Sequence, residues 1–374
     1  MEKNRYVTIV VKQEDLSRVL SNLVGVSTRK STIAYLSQVR IFLSGGAAEF
    51  TTTDNELSLT DTVVDIANVD DVAISVDVFK LHEIVRHLPI DAEVRLSIDQ
   101  VNLAISSGKI EFALPYLDAA TFPSISEEEK QGEIEFSKDE IKTLFNKVKF
   151  AISTESTRQH LNGIYLESDG EKITAAATDI HRLAVATLDK KTGFNFSCIV
   201  PKKTVLEMIK LSTMGKVLLS LHGREYTNRV KVVVGNVYLN SKLVAGTFPD
   251  FTAVIPKTFK FSLSMNKKAI ARAVERIGLV SPDQSRAIRL TIREKTLSVE
   301  ASNSDASFGR EALELDSEFD GDMSIHFNHA YLLDIFSVLE SEEMVMCFNN
   351  PTSQVLFKDG SDESVLYIIM PMSI

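Results

Sequence analysis

Thr174-Ala-Ala-Ala-Thr-Asp-Ile-His-Arg-Leu-Ala-Val-Ala-Thr-Leu188 predicts a strand, a tight polar turn and a second strand. Small and β-branched residues flank the polar group Thr178, Asp179, His181 and Arg182, a pattern that suits a hairpin. Standing alone, the group looks like acid–base machinery, because a carboxylate can orient a histidine. Its meaning depends on whether the rest of the chain repeats it.

The chain does repeat it. Three segments carry apolar residues at helical spacing after a short alternating strand: Lys12–Leu23 after Tyr6–Val11, Lys138–Val148 after Glu133–Phe136, and Asn266–Ile277 after Phe259–Leu263. Their anchors Leu16, Ile141 and Ile270 are 125 and 129 residues apart. A strand pair follows each helix, joined by Asp54-Asn-Glu56, by Asp179-Ile-His181 and by Asn303-Ser-Asp305. A second strand and helix come next, with anchors Val78, Val205 and Tyr331 at spacings of 127 and 126. Each unit closes on a proline motif: Thr121-Phe-Pro-Ser124, Thr247-Phe-Pro-Asp250 and Met370-Pro-Met372. The expectation is α+β: three similar domains, each with two helices packed on antiparallel sheets, over 1–129, 130–256 and 257–374. The polar runs Glu127–Gly132 and Ile255–Thr258 are the linkers.

The repeat reassigns the opening stretch. Asx residues recur at all three turns because they bond their own backbone, so Asp179 is expected to build a turn. His181, Arg182 and Leu183 are peculiar to the second repeat. A hydrolase or nuclease on Asp179 and His181 would need a nucleophile or a metal partner. The sequence has no His-x-x-x-His, Cys-x-x-Cys or Gly-x-Ser-x-Gly to supply one. No catalytic residue, metal ligand or cofactor site is assigned. Gly45-Gly46 signals a hairpin, and Cys198 and Cys347 sit in apolar strands as buried thiols.

With 374 residues, 44% of them hydrophobic and 25% charged, the chain has the composition of a globular protein. No run approaches the ~18 apolar residues of a membrane span. The polar start, Met1 to Arg5, does not resemble a signal peptide, so a cytoplasmic protein is expected. The net charge of −10 argues on its face against nucleic acid. The charge is uneven, however. The six helical windows (Lys12–Leu23, Val78–Leu88, Lys138–Phe150, Lys202–Leu211, Lys267–Ile277 and His329–Leu339) hold 15 Lys and Arg against 8 Asp and Glu. They carry +7, which leaves −17 on the remainder. Helices lining one surface would attract phosphates while the outside repels them. With no base-reading motif, contacts would go to the backbone, without sequence preference. The apolar end Val365–Met372 is expected to dock in the core or to form a surface pocket, where its methionines suit a peptide groove.

Four stretches together resemble the bacterial DNA polymerase III beta subunit, or sliding clamp, family. They are Ala177-Thr-Asp-Ile-His-Arg-Leu-Ala184, Leu161-Asn-Gly163, Ser241-Lys-Leu-Val-Ala-Gly-Thr-Phe-Pro-Asp250 and Tyr367-Ile-Ile-Met-Pro-Met372. The resemblance implies the DNA clamp fold, with two chains closed head to tail into a homodimeric ring around duplex DNA. The ring has no enzymatic activity, needs no cofactor, touches no membrane and is opened by a clamp loader. It tethers the replicative polymerase alpha subunit, other polymerases and repair proteins by their short hydrophobic motifs. The groove for those motifs would comprise Leu161, Thr178, Ile180, His181, Arg182, Leu183, Pro249, Val254, Asn328, Tyr331, Thr352, Gln354, Ile368, Met370 and Met372. The resemblance further implies DNA contacts at Arg29, Lys30, Lys203, Gln284, Ser285 and Arg286. It implies a dimer contact between Lys80, Phe112 and Leu114 of one chain and Leu279 and Val280 of the other. Ile180 stands where many relatives place a small residue. A protein-only scaffold and a divergent second clamp of the same host are the alternatives.

Overall fold

The structure, a computed structural model, describes residues 7–67, 70–123, 128–224 and 226–373. Tyr6 of the expected first strand, Ser124 of the first closing motif and Glu127 of the first linker lie outside the described residues. The chain forms two compact units, Met1–Lys138 with Lys210–Leu243, and Asp139–Ile209 with Val244–Ile374.

Five of the expected helices form within one or two residues of their expected ends: α1 (Gln13–Val24), α2 (Val78–His87), α4 (Lys202–Leu211), α5 (Lys267–Gly278) and α6 (His329–Val338). The apolar spacing explains them. α1 buries Leu16, Val19, Leu20 and Leu23, and α5 buries Ile270, Ala273, Val274 and Ile277. The starts of α2, α5 and α6 are fixed by side-chain caps. Asp77 accepts from Lys80 N at 2.8 Å, Asn266 from Ala269 N at 3.0 Å and Asn328 from Ala330 N at 3.0 Å.

The expected third helix, Lys138–Phe150, does not run through. One α-turn, α3 (Lys138–Ile141), passes into a π turn over Lys142–Asn146 and then a 3-10 turn over Lys149–Ala151. Lys147 N bonds Lys142 O across the wide turn at 3.1 Å. The Lys147 side chain is buried, with Nζ 2.7 Å from Asp362 and 3.6 Å from Glu340. A buried ammonium must be paired, and those partners lie some 200 residues away in sequence, out of reach of any local periodicity.

The first unit holds two antiparallel sheets. A four-stranded sheet runs in the order Val7–Lys12, Glu93–Ile98, Asn102–Ser107, Ile110–Pro115. A nine-stranded sheet joins Lys130–Phe136, Val217–His222, Arg229–Val234 and Val237–Lys242 to Leu57–Val63, Ala47–Thr53, Gln38–Ser44, Val72–Asp77 and Leu117–Asp118. The join is a ladder in which Leu239 faces Leu59 and Val237 faces Asp61. First and second repeats therefore share one continuous sheet. Asp61 is fully buried there, held by Arg18 Nη1 of α1 at 2.9 Å and by Asn22 Nδ2 at 2.9 Å.

The second unit follows the same plan. Asn195–Pro201, Gly163–Asp169, Ile173–Thr178 and Arg182–Leu188 continue into Val365–Ile369, Val355–Asp359, Glu343–Phe348 and Phe261–Asn266 as one eight-stranded sheet. Here Leu183 faces Ile368 across the join of second and third repeats. Among the described residues, Ala287–Ser302 and Phe308–Asn328 pair only with each other. No helix of the described residues is long and apolar enough to cross a membrane.

Removing Arg18 strands a buried carboxylate, a change that typically costs about 3 kcal/mol. We expect Arg18→Ala to lower the unfolding midpoint in urea, and Arg18→Ala with Asp61→Leu to recover part of the loss. A double variant as unstable as Arg18→Ala would contradict the pairing.

Candidate partner-binding groove

The opening stretch forms the expected hairpin, and its turn is built by backbone capture. Asp179 Oδ1 accepts from His181 N at 3.1 Å and Arg182 N at 3.0 Å. Thr178 Oγ1 donates to Arg182 O at 2.7 Å and accepts from Ile180 N at 3.0 Å. Asp179 is therefore a turn-former, as the repeat implied. Its other oxygen, Oδ2, holds Arg182 Nε at 3.0 Å.

Arg182 ties three segments together. Besides Asp179, its Nη1 pairs with Asp334 of α6 and its Nη2 donates to Phe150 O at 2.7 Å. The guanidinium also lies over the rings of Tyr331, 4.4 Å from its centroid, and Phe150, at 5.1 Å. His181 stacks on Tyr331 with ring centroids 6.3 Å apart. Burial pushes the Tyr331 hydroxyl above its ordinary range, and the Asp179 carboxylate adds to the shift.

The C-terminal stretch takes the first of the roles expected for it, docking in the core. Val365–Ile369 is an inner strand of the eight-stranded sheet, while Met370 beyond it is 40% exposed. Met370 N donates to His181 O at 2.9 Å and Met372 N to His326 O at 2.8 Å. The tail thus binds the hairpin turn on one side and the strand leading to Asn328 and α6 on the other. Burial lowers the pKa of His326 and of His329, with Arg289 and Arg286 respectively adding to it.

The expected groove residues separate into a floor and a rim. Leu161, Leu183 and Ile368 belong to one buried apolar cluster with Val185, Ile199, Phe248, Phe251 and Leu356. Ile180 and Met370 are exposed, as are Pro249 and Val254, which flank the clustered Phe251. Thr178, Arg182, Asn328 and Tyr331 are half-buried. Asn328 has a structural task as the cap of α6. Gln354 directly precedes the strand whose Val355 faces Ile369, and Thr352 lies in the turn before it, bonded to Asn350. Sequence reasoning missed Asp334, Phe150, Phe248 and Phe251. Asp334 had a signal, because it is three residues from Tyr331 on a helix and so shares its face.

The remaining expected sites lie elsewhere. Arg29 and Lys30 are exposed after α1, with Arg29 stacked on Phe79 at 4.8 Å. Lys203 is half-buried in the first turn of α4. Gln284 and Arg286 are exposed and Ser285 half-buried in the loop after α5, and Arg286 takes a left-handed backbone at φ 51°. Several helix cations are already paired: Lys142 with Glu340, Lys147 with Asp362, Lys268 with Glu342 and Arg276 with Glu311. The balance of +7 thus overstates what the helices offer to phosphates. Of the expected dimer residues, Phe112 is 43% and Leu279 85% exposed. Lys80 is exposed too, whereas Leu114 is buried and Val280 half-buried, the latter beside Gly309.

The chain matches the DNA polymerase III beta subunit family in three stretches: its N-terminal domain over residues 7–126, its central domain over 135–250 and its C-terminal domain over 252–373. It is 32% identical to the beta sliding clamp of Caulobacter vibrioides, over 98% of this chain and 100% of that one. It is 29% identical to the beta sliding clamp of Escherichia coli K12, over 97% and 98%. Among solved structures, the sliding clamp of Bartonella birtlesii bound to griselimycin is similar with a TM-score of 0.93 and 32% identity, over 99% and 100%. That of Pseudomonas aeruginosa, also bound to griselimycin, has a TM-score of 0.92 and 27% identity, over 100% of both chains.

A planar guanidinium meets Asp179, Asp334 and Phe150 O at once, and a lysine ammonium cannot. Arg182→Lys is expected to destabilise the chain by about 2 kcal/mol, seen as a lower thermal midpoint. A midpoint equal to that of the unaltered protein would show that the fork does not hold the three segments.

Proposed function

The chain belongs to the DNA polymerase III beta subunit family, and on that premise we propose that it acts as a processivity factor, a sliding clamp that encircles duplex DNA and tethers polymerases. The observation that carries the reading is similarity that runs from one end of the chain to the other and covers the relatives equally. The three repeats serve as domains over 1–129, 130–256 and 257–374, and the cytoplasm is the compartment of its work. The clamp catalyses nothing itself, and a clamp loader opens it. Tethering uses the groove of Ile180 to Leu183, Tyr331 and Met370 to Met372, which takes a short hydrophobic peptide.

Physical features of the two units support ring closure by a second chain. Each join between repeats within the chain is a sheet shared edge to edge. The strand Ile110–Pro115 ends the four-stranded sheet with Ile110 and Phe112 exposed. Among the described residues the hairpin Ala287–Asn328 has no third strand, and Phe308 is exposed on it. Open edges bearing apolar side chains are templates for pairing with another chain. Joining the edge of one chain to the hairpin of the next is a heterologous contact, and two such contacts close a ring. Arg29, Lys30, Lys203 and the loop Gln284–Arg286 would then meet DNA backbone, giving salt-sensitive, sequence-independent attraction.

Two outcomes follow. Loaded onto a nicked circle, the protein should stay bound through gel filtration and be lost once the circle is cut; equal retention on both forms would exclude encirclement. Leu279→Asp should yield single chains in light scattering, and a dimer that survives the change would remove Leu279 from the contact.

A further inference from the structure

Two turns of this chain are closed by the same hydrogen bonds around different residues. In the first repeat, Asp54 Oδ1 accepts from Glu56 N at 3.0 Å and Leu57 N at 2.7 Å. Thr53 Oγ1 donates to Leu57 O at 3.0 Å and accepts from Asn55 N at 3.1 Å. Asp179 and Thr178 make the same four bonds in the second repeat. The middle residue is left-handed in both, Asn55 at φ 78° and Ile180 at φ 73°. Asparagine adopts that backbone readily, whereas a β-branched residue there is an outlier.

The turn itself therefore does not ask for isoleucine, since the same bonds close around Asn55. Core packing does not ask for it either, because Ile180 is 48% exposed. Its neighbour His181 accepts the backbone bond of Met370, the exposed apolar residue of the tail. A strained residue with no local reason points to a use for its side chain. We propose that Ile180 is a specificity-determining residue of the groove, presenting a stiff apolar rim beside Met370 to one apolar side chain of the bound peptide. This rests on the groove assigned under the proposed function. A β-branched side chain has little rotamer freedom to lose, so the contact forms with a small ordering penalty. A polar or acidic residue at that point of the peptide gains nothing there, and the partner class is a short peptide with an apolar residue facing Ile180.

The test compares full-length protein with Ile180→Asn, which installs the first repeat's residue, and with Met370→Asp, on an array of randomised synthetic hexapeptides. Hits are then measured by fluorescence anisotropy. The unaltered protein should select an apolar residue at one position that Ile180→Asn no longer selects. Those peptides should bind Ile180→Asn about five- to tenfold more weakly, with its thermal midpoint unchanged or higher, and should not bind Met370→Asp. If Ile180→Asn keeps the same apolar preference with affinity within twofold while Met370→Asp loses binding, the proposal falls and the groove stands. A midpoint several degrees lower in Ile180→Asn would make Ile180 a structural residue and overturn the proposal. Binding that survives Met370→Asp, or an array with no selected peptide, overturns the groove and the proposal together.

Discussion

A β-sheet edge leaves a row of N–H and C=O groups that must be paired or covered, and the architecture of this chain follows from where its edges go. Each repeat brings two sheets. Between first and second repeats, Val237–Lys242 pairs with Leu57–Val63, and between second and third, Arg182–Leu188 pairs with Val365–Ile369. Neither join relies on a linker. Each is a ladder of backbone bonds with side chains locked in register, so the repeats are fused into continuous sheets. Among the edges that remain are Ile110–Pro115 and the hairpin Ala287–Asn328, the two we propose a second chain takes.

The second of those joins also sets the proposed groove. Because Leu183 faces Ile368, the hairpin turn before Leu183 and the tail after Ile369 emerge side by side. Arg182 then fixes the wall by tying the turn to α6 and to Phe150 O. One register thus brings the turn of His181 against Met370 and Tyr331, while Leu161, Leu183 and Ile368 pack in one buried cluster. In the proposed role rigid positioning favours binding, because a preorganised groove binds a short peptide with less ordering to oppose it.

Much of this was legible in sequence, for local reasons. α1 and α5 could be placed because their apolar residues recur at helical spacing and an Asx or polar residue marks their start. The Asp179 turn was legible because Asp54 marks the same turn in the first repeat and Asn303 stands at the corresponding, differently bonded turn of the third. What sequence could not show was set by contacts distant along the chain. Lys147 finds Asp362, 215 residues on, and the expected third helix opens into a π turn there. Arg182 finds Asp334, 152 residues on. The left-handed backbone of Ile180 is opposite to what its side chain favours, so no propensity could have found it. The groove residues themselves came from the family resemblance, since residues so far apart share no spacing.

The central claim is that two of these chains close into a ring through edges left open in one. Electron microscopy of the purified protein tests it most directly. The account predicts closed two-chain particles with a central hole wide enough for duplex DNA. Single chains, open arcs or filled particles at concentrations where the protein acts would contradict it.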